Sequence, residues 1–272
     1  MSAGPWTGGG WGPAARCVLA PNPGPMTLDG TNTWLLAAPG SGLGVVVDPG
    51  PLHEAHLAAV VDAADQIGVR VAVILLTHGH SDHAGGAARF AELTGAPVRA
   101  VDPALRMADG GLADGDVVAV GGLELRVVAA PGHTSDSLCF LLTGEQVPGS
   151  LLLTGDTVLG RGTTMIAHPG GRLGDYLASL QRLARLSADV PVDAVLPGHG
   201  PVLADPVGVI EGYLAHRRER LDQVAAVLAA GATSAEEVVR VVYADVDPVL
   251  WPAAELSVRA QMDYLQRGHD PS

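Results

Sequence analysis

The chain has no lysine: all 16 of its basic residues are arginine. A phosphate-loop lysine and a Schiff-base lysine are therefore excluded. Positive charge is scarce overall, with a formal net charge of −13, and a protein that tracks phosphate backbones ordinarily carries a basic footprint. Bulk charge thus disfavours nucleic acid as a partner. Cysteine is nearly absent. Cys17 and Cys139 are too few for a disulfide framework, and Cys139 sits in an apolar run, so a reduced, cytoplasmic protein is the simplest account. No apolar stretch reaches the roughly 18 residues of a membrane span, because charged residues, Gly and Pro interrupt every run. The first residues, rich in Gly, Pro and Trp, lack a basic start and an apolar segment, so they do not read as a secretory signal. Residues 1–15 are expected to form a flexible arm.

What is present is apolar residue, at 47% of 272 positions, enough for one large domain or one domain with a small appendage. The densest chemistry lies in Thr77-His78-Gly79-His80-Ser81-Asp82-His83, directly after the apolar run Val71-Ala72-Val73-Ile74-Leu75-Leu76. Side chains two apart at the tip of an extended segment point to the same side, so His78 and His80 can grip one ion while Asp82 and His83 face another. Imidazole and carboxylate donors favour zinc, with manganese or iron also compatible. A competing reading makes Asp82 the N-cap of a helix over 84–93. Burying three imidazoles and a carboxylate together without a cation, however, has no evident compensation.

Along the chain, strands are expected over 16–20, 33–38 and 44–47, the last ending at Asp48. Apolar spacing predicts a helix over 51–67, with His53 and His56 as surface residues in its first turns. Further strands are expected over 98–101, 116–120, 123–129, 138–142, 151–153 and 192–196, with a hairpin at Gly121-Gly122 and a helix over 174–186. A pattern recurs: His78, His133, Asp156 and His199 each follow an apolar run and sit beside a glycine. Strand ends in an α/β architecture share one sheet edge, so these groups can converge from distant positions. From about Asp205 helices take over: 206–228, a capping box at Ser234-Ala235-Glu236-Glu237 opening a helix to Val242, and a last helix that Gly268 could cap. Three short helices resemble a winged-helix unit without its wing. With 6 Arg against 11 acidic residues over 205–272, a packing or homodimer element is favoured over a nucleic-acid reader.

The set His78-x-His80-x-Asp82-His83, Gly132-His133, Gly155-Asp156 and Gly198-His199, with Asp48 earlier, resembles the metallo-β-lactamase fold hydrolases over residues 17–203. The resemblance implies a four-layer αββα sandwich with metals on the ridge between the sheets; this domain is expected over 16–204, and the helices read above form a small winged-helix-like C-terminal domain over 205–272. It implies that His78, His80 and His133 hold one zinc and Asp82, His83 and His199 a second, that Asp156 bridges them, and that Asp48 orients the site from behind. Gly30-Thr31-Asn32-Thr33-Trp34, Pro131-Gly132-His133-Thr134 and Gly162-Thr163-Thr164, together with the helical tail, resemble the β-lactamase-like protein 2 group. That group includes single-strand endoribonucleases, and related enzymes cleave acyl-carrier thioesters. Asp156 argues against the β-lactamases that place cysteine at the second site.

The implied activity is a two-zinc hydrolase whose metal-bridging hydroxide attacks an ester-type bond, with Asp82 orienting the nucleophile or moving its proton. The substrate is either a single-stranded RNA phosphodiester or a small thioester or lactone. Thr134, Ser135, Thr163, Thr164 and His168 are candidates for substrate contact, set against ordinary turn and loop roles. The alternative is a mononuclear iron dioxygenase of the same fold, resting on His78, His133 and Asp156. A non-catalytic fold would have lost ligands, and none is lost.

Overall fold

The computed structural model describes residues 4–108 and 110–267. Two mixed sheets carry the molecule. The first, in the order β1-β2-β3-β4-β5-β6, comprises β1 Gly9–Trp11, β2 Ala15–Leu19, β3 Asn32–Leu36, β4 Leu43–Val47, β5 Arg70–Leu75 and β6 Val98–Arg99. The second, in the order β11-β10-β9-β8-β7, comprises β7 Val117–Val120, β8 Leu123–Ala129, β9 Leu138–Gly144, β10 Leu151–Gly155 and β11 Ala194–Pro197. β4, β5 and β6 run parallel, as do β10 and β11.

Alternation along the strands sends one set of side chains between the sheets, where Trp34, Leu36, Val45, Val47 and Leu75 meet Leu125, Val127, Phe140, Leu142 and Leu196. The opposite faces bury against helices. α1 Glu54–Gln66 and α3 Ala87–Thr94 cover the first sheet through Leu57, Val60 and Phe90. α4 Leu173–Asp189 and the first half of α5 Pro206–Ala229 cover the second through Tyr176, Leu180, Ile210 and Tyr213. The result is the expected four-layer αββα order. α5 then continues into a separate small core, where Val224 meets Val238 and Val239 of α6 Ala235–Val242 and Val258 of α7 Trp251–Arg267. Its outer half thus belongs to the helical extension and its inner half to the sandwich. No helix among the described residues is long and apolar enough to cross a membrane.

Several expectations need correction. Of the arm expected over 1–15, residues 9–11 form β1 and pair with β2, and Trp6 Nε1 donates to Asn32 Oδ1 at 2.8 Å. The single helix expected over 84–93 is two: α2 Ser81–Ala84 and α3, separated at Gly85-Gly86. Asp82 lies inside α2 and His80 occupies its N-cap position, so Asp82 does not cap a helix. His56 is 3% exposed rather than on the surface, its Nε2 2.9 Å from Thr33 Oγ1 behind β3; burial pulls its pKa down to about 4. His53 caps α1 by accepting from His56 N. The capping box at Ser234 is present, the described residues beyond 203 contain no strand, and the cap expected at Gly268 lies outside the described residues.

Candidate metal centre

The strand ends β4, β5, β10 and β11 and the loop after β8 meet along one ridge. There the sheets are stitched by two main-chain bonds, Leu138 N to Thr77 O (2.8 Å) and Asn32 N to Gly198 O (2.7 Å), while Gly198 N to Gly155 O (2.8 Å) ties the ends of β10 and β11 within the second sheet. Asp48 follows β4; His78, His80, Asp82 and His83 follow β5; His133 follows β8; Asp156 follows β10; His199 follows β11. All seven predicted ligands and Asp48 are brought together. At Gly198 the space is gone: a Cβ there would lie 2.7 Å from both Asp156 Oδ1 and His83 Cε1. The glycine beside His199 is thus a packing requirement of the cluster.

Two groups of donor atoms form around Asp156. In the first, His80 Nδ1 is 3.0 Å from both His78 Nε2 and His133 Nε2, and His133 Nε2 is 3.6 Å from Asp156 Oδ2. In the second, His83 Nε2 and His199 Nε2 are 3.2 Å apart, Asp82 Oδ2 is 3.4 and 3.2 Å from them, and Asp156 Oδ1 is 3.3 and 3.4 Å from them. Four donors placed tetrahedrally at about 2.0–2.1 Å from a zinc ion stand about 3.3–3.4 Å from one another. The observed separations are of that size.

Proton placement reinforces the fit. His133 Nδ1 faces Met165 O at 2.9 Å, His199 Nδ1 faces Gly30 O at 3.1 Å, and His83 Nδ1 faces Asp48 Oδ2 at 2.8 Å, so each must donate there. Thr77 Oγ1 gives its hydrogen to Asp48 Oδ2 at 2.6 Å, so His78 Nδ1, 3.0 Å from that hydroxyl, donates to it. In the neutral imidazoles all four Nε2 lone pairs then point inward. His80 Nδ1 touches two of them and has one proton at most to share. Asp156 Oδ1 is buried with no well-directed hydrogen bond. Inward lone pairs and a buried carboxylate oxygen are the donor set that a cation takes, and the residues fit a metal.

In the metal-free chain the carboxylates favour protons on two of the imidazoles. Burial opposes charge on His83 and His199, yet the Asp156 carboxylate, helped by Asp48 at one and Asp82 at the other, raises His83 well above the imidazole range and His199 to about 9. Burial would raise the acids, but His83 and His199 hold both Asp82 and Asp156 below the usual carboxylate range. Burial, with the neighbouring His83, depresses His78; burial, with His133, depresses His80.

The candidates for substrate contact separate. Thr164 is 2% exposed and donates to Asp156 O at 2.7 Å, so it braces the site from behind. Thr134 bonds Ser137 Oγ at 2.7 Å, in the turn role. Ser135 and Thr163 are exposed, and His168 is half-buried with its main-chain N–H on Leu256 O. Residues that sequence reasoning passed over are Thr77, wedged between His78 and Asp48, and Asn32, whose Nδ2 donates to Pro197 O at 2.9 Å and Gly200 O at 2.8 Å on either side of His199. Thr77 adjoins the histidine motif, and Asn32 lies in the Gly30-to-Trp34 segment, so both had a local signal.

The family description "Metallo-beta-lactamase superfamily" matches residues 26–199. The chain belongs to this superfamily. As a metallo-beta-lactamase superfamily protein it carries a second match, "Beta-lactamase associated winged helix domain", over residues 234–268. It is 32% identical to the beta-lactamase-like protein 2 homolog of Drosophila melanogaster, covering 92% of this chain and 87% of that one. It is 34% identical to the atrochrysone carboxyl ACP thioesterase of Aspergillus fumigatus, over 76% of this chain and 62% of that protein. Among solved structures, a beta-lactamase domain protein from Burkholderia ambifaria superposes with a TM-score of 0.77 at 25% identity, covering 97% of this chain and 90% of its own.

Proposed function

We propose that this superfamily member is a zinc-dependent hydrolase of thioesters, with two metal ions per chain. His78, His80 and His133 would hold one ion, Asp82, His83 and His199 the other, and Asp156 would serve both. The observation that carries this reading is the junction at Asp156, whose Oδ2 faces His133 while Oδ1 faces His83 and His199. When bound, paired metals supply Lewis acidity and a water whose pKa falls toward about 7.

The chain's own groups do the positioning. Thr77, Asp48, Met165 O and Gly30 O fix four imidazole rings through their Nδ1 hydrogens, which sets the direction of each Nε2. Asp82 is the most open of the three carboxylates, its side chain 27% exposed against 11% for Asp156 and 2% for Asp48. It is held ionised, which suits it to accept a hydrogen bond from a water and orient it. A thioester is favoured over a polynucleotide because the named thioesterase is a relative, and because a chain of −13 charge without lysine gains little from counterion release on a phosphate backbone.

The test is a panel of an acyl-pantetheine thioester, a lactone, a single-stranded RNA and a β-lactam, run on zinc-loaded protein beside Asp156→Ala. Thioester turnover that falls to background in D156A is expected. RNA cleavage without thioester turnover moves the substrate assignment, and iron at one per chain with oxygen consumption displaces the hydrolase reading altogether.

A further inference from the structure

We infer that Arg217, on α5 and outside the residues matched to the superfamily, is a positioning residue for the metal site, acting through the segment that joins Asp156 to the carbonyl holding His133. The side chain is 6% exposed. Among the described residues no carboxylate pairs with it; its terminal nitrogen donates to Thr164 O, its guanidinium carbon lies 5.2 Å from the centre of the Tyr176 ring, and its Nε is buried without a partner. A buried cation that spends its charge on one main-chain carbonyl is costly to keep. What the carbonyl belongs to gives that cost a purpose.

Thr164 donates its hydroxyl to Asp156 O at 2.7 Å and Thr157 O at 3.3 Å. The next residue, Met165, accepts from His133 Nδ1 at 2.9 Å. Tyr176, under the guanidinium, donates to Thr157 O at 2.7 Å. One turn before Arg217 on the same face of α5, Tyr213 Oη accepts from Leu159 N at 2.9 Å. The helix therefore grips residues 157–164 at two points, and that segment sets the backbone of Asp156 and the tautomer and tilt of His133. His133 belongs to the donor group of His78 and His80 alone and Asp156 faces both groups, whereas His83 and His199 are fixed by Asp48 and Gly30 O, which α5 does not touch.

The inference rests on the two-metal reading, and the experiment separates the two. Metal-free protein is titrated with Zn2+ against a chromophoric chelator at pH 7, with Co2+ absorption spectra recorded alongside. Wild type should take up two equivalents. Arg217→Met should weaken one of them by about 10–100-fold, as loss of a group orienting a ligand does, change the Co2+ spectrum of that equivalent, and weaken the other, which shares only Asp156 with the perturbed segment, to a smaller extent. Arg217→Lys, which retains a donor for Thr164 O, should restore part of the loss. Thr164→Val keeps the shape of the segment and should weaken the same equivalent, so it carries the test where R217M does not fold. Unchanged affinities in both variants, or equal weakening of both equivalents with a lower melting temperature, overturn the positioning role. Failure of wild type to take up two equivalents strikes the site reading itself.

Discussion

Asp48→Asn perturbs the orientation of His83, and through Thr77 that of His78, with almost no change of side-chain shape. Asp48 is 1% exposed and holds φ at +53°, a conformation that Asn tolerates, so the backbone need not move. Its Oδ1 accepts from Thr77 N at 2.8 Å, and its Oδ2 accepts from Thr77 Oγ1 at 2.6 Å and His83 Nδ1 at 2.8 Å. An amide nitrogen at the first position would face the Thr77 N–H, donor against donor. At the second position it would face His83 Nδ1–H, and the conflict is relieved only if that proton moves to Nε2, the atom that must bind metal. Either way the variant loses alignment or tautomer. The expected cost is about 10–100-fold in metal affinity, or about 1.4–2.8 kcal/mol. Chelator competition at fixed pH measures it, with the melting temperature of the metal-free variant as a control. Wild-type affinity in D48N would show that His83 is not directed from Asp48 and would remove the proton-placement argument for the whole cluster.

Other outcomes follow from the same contacts. His199 rises from 6.5 to about 9 on folding and His83 rises as well, so their stabilisation of the metal-free protein is complete below pH 6.5 and is lost as pH climbs. Differential scanning calorimetry with chelator should show the melting temperature falling between about pH 6.5 and 9; a rise over that interval contradicts the assignment. Zinc binding near pH 7 should release protons from these two residues, read as a buffer-dependent enthalpy in titration calorimetry. Asn32→Leu orphans the Gly200 carbonyl and the Trp6 indole N–H and should cost about 2–4 kcal/mol in urea unfolding. Gly132→Ala should be more damaging, at about 3 kcal/mol or above. Gly132 has φ at +139° and a Cβ there would come within 2.3 Å of Tyr176 Cα, so loss of zinc uptake should accompany the fall in stability.

The convergence of the candidate ligands was legible because strand ends are: His78, His133, Asp156 and His199 follow apolar runs, and a sheet gathers such ends on one edge whatever their separation along the chain. The αββα order was legible only through the family resemblance. The arm was not, since Gly9-Gly10-Trp11 has no alternation and joins β2 only because Trp6 and Trp11 find the sheet's open edge and core. Gly85-Gly86 interrupted a helix that apolar spacing alone would continue. His56 looked like a surface residue because its partner, Thr33, lies on a strand brought close only by the packing of α1. Arg217 carries no local mark at all, being one arginine in a polar run; its partners belong to α4 and to the loop behind Asp156.

A helix of 24 residues is a rod about 36 Å long. In this protein one half of α5 is clamped in the αββα sandwich and the other half sits in the small core of α6 and α7. Force or displacement applied to the tail therefore has a stiff lever ending beside the candidate metal centre, and trimming the tail would remove not an ornament but the far support of a beam.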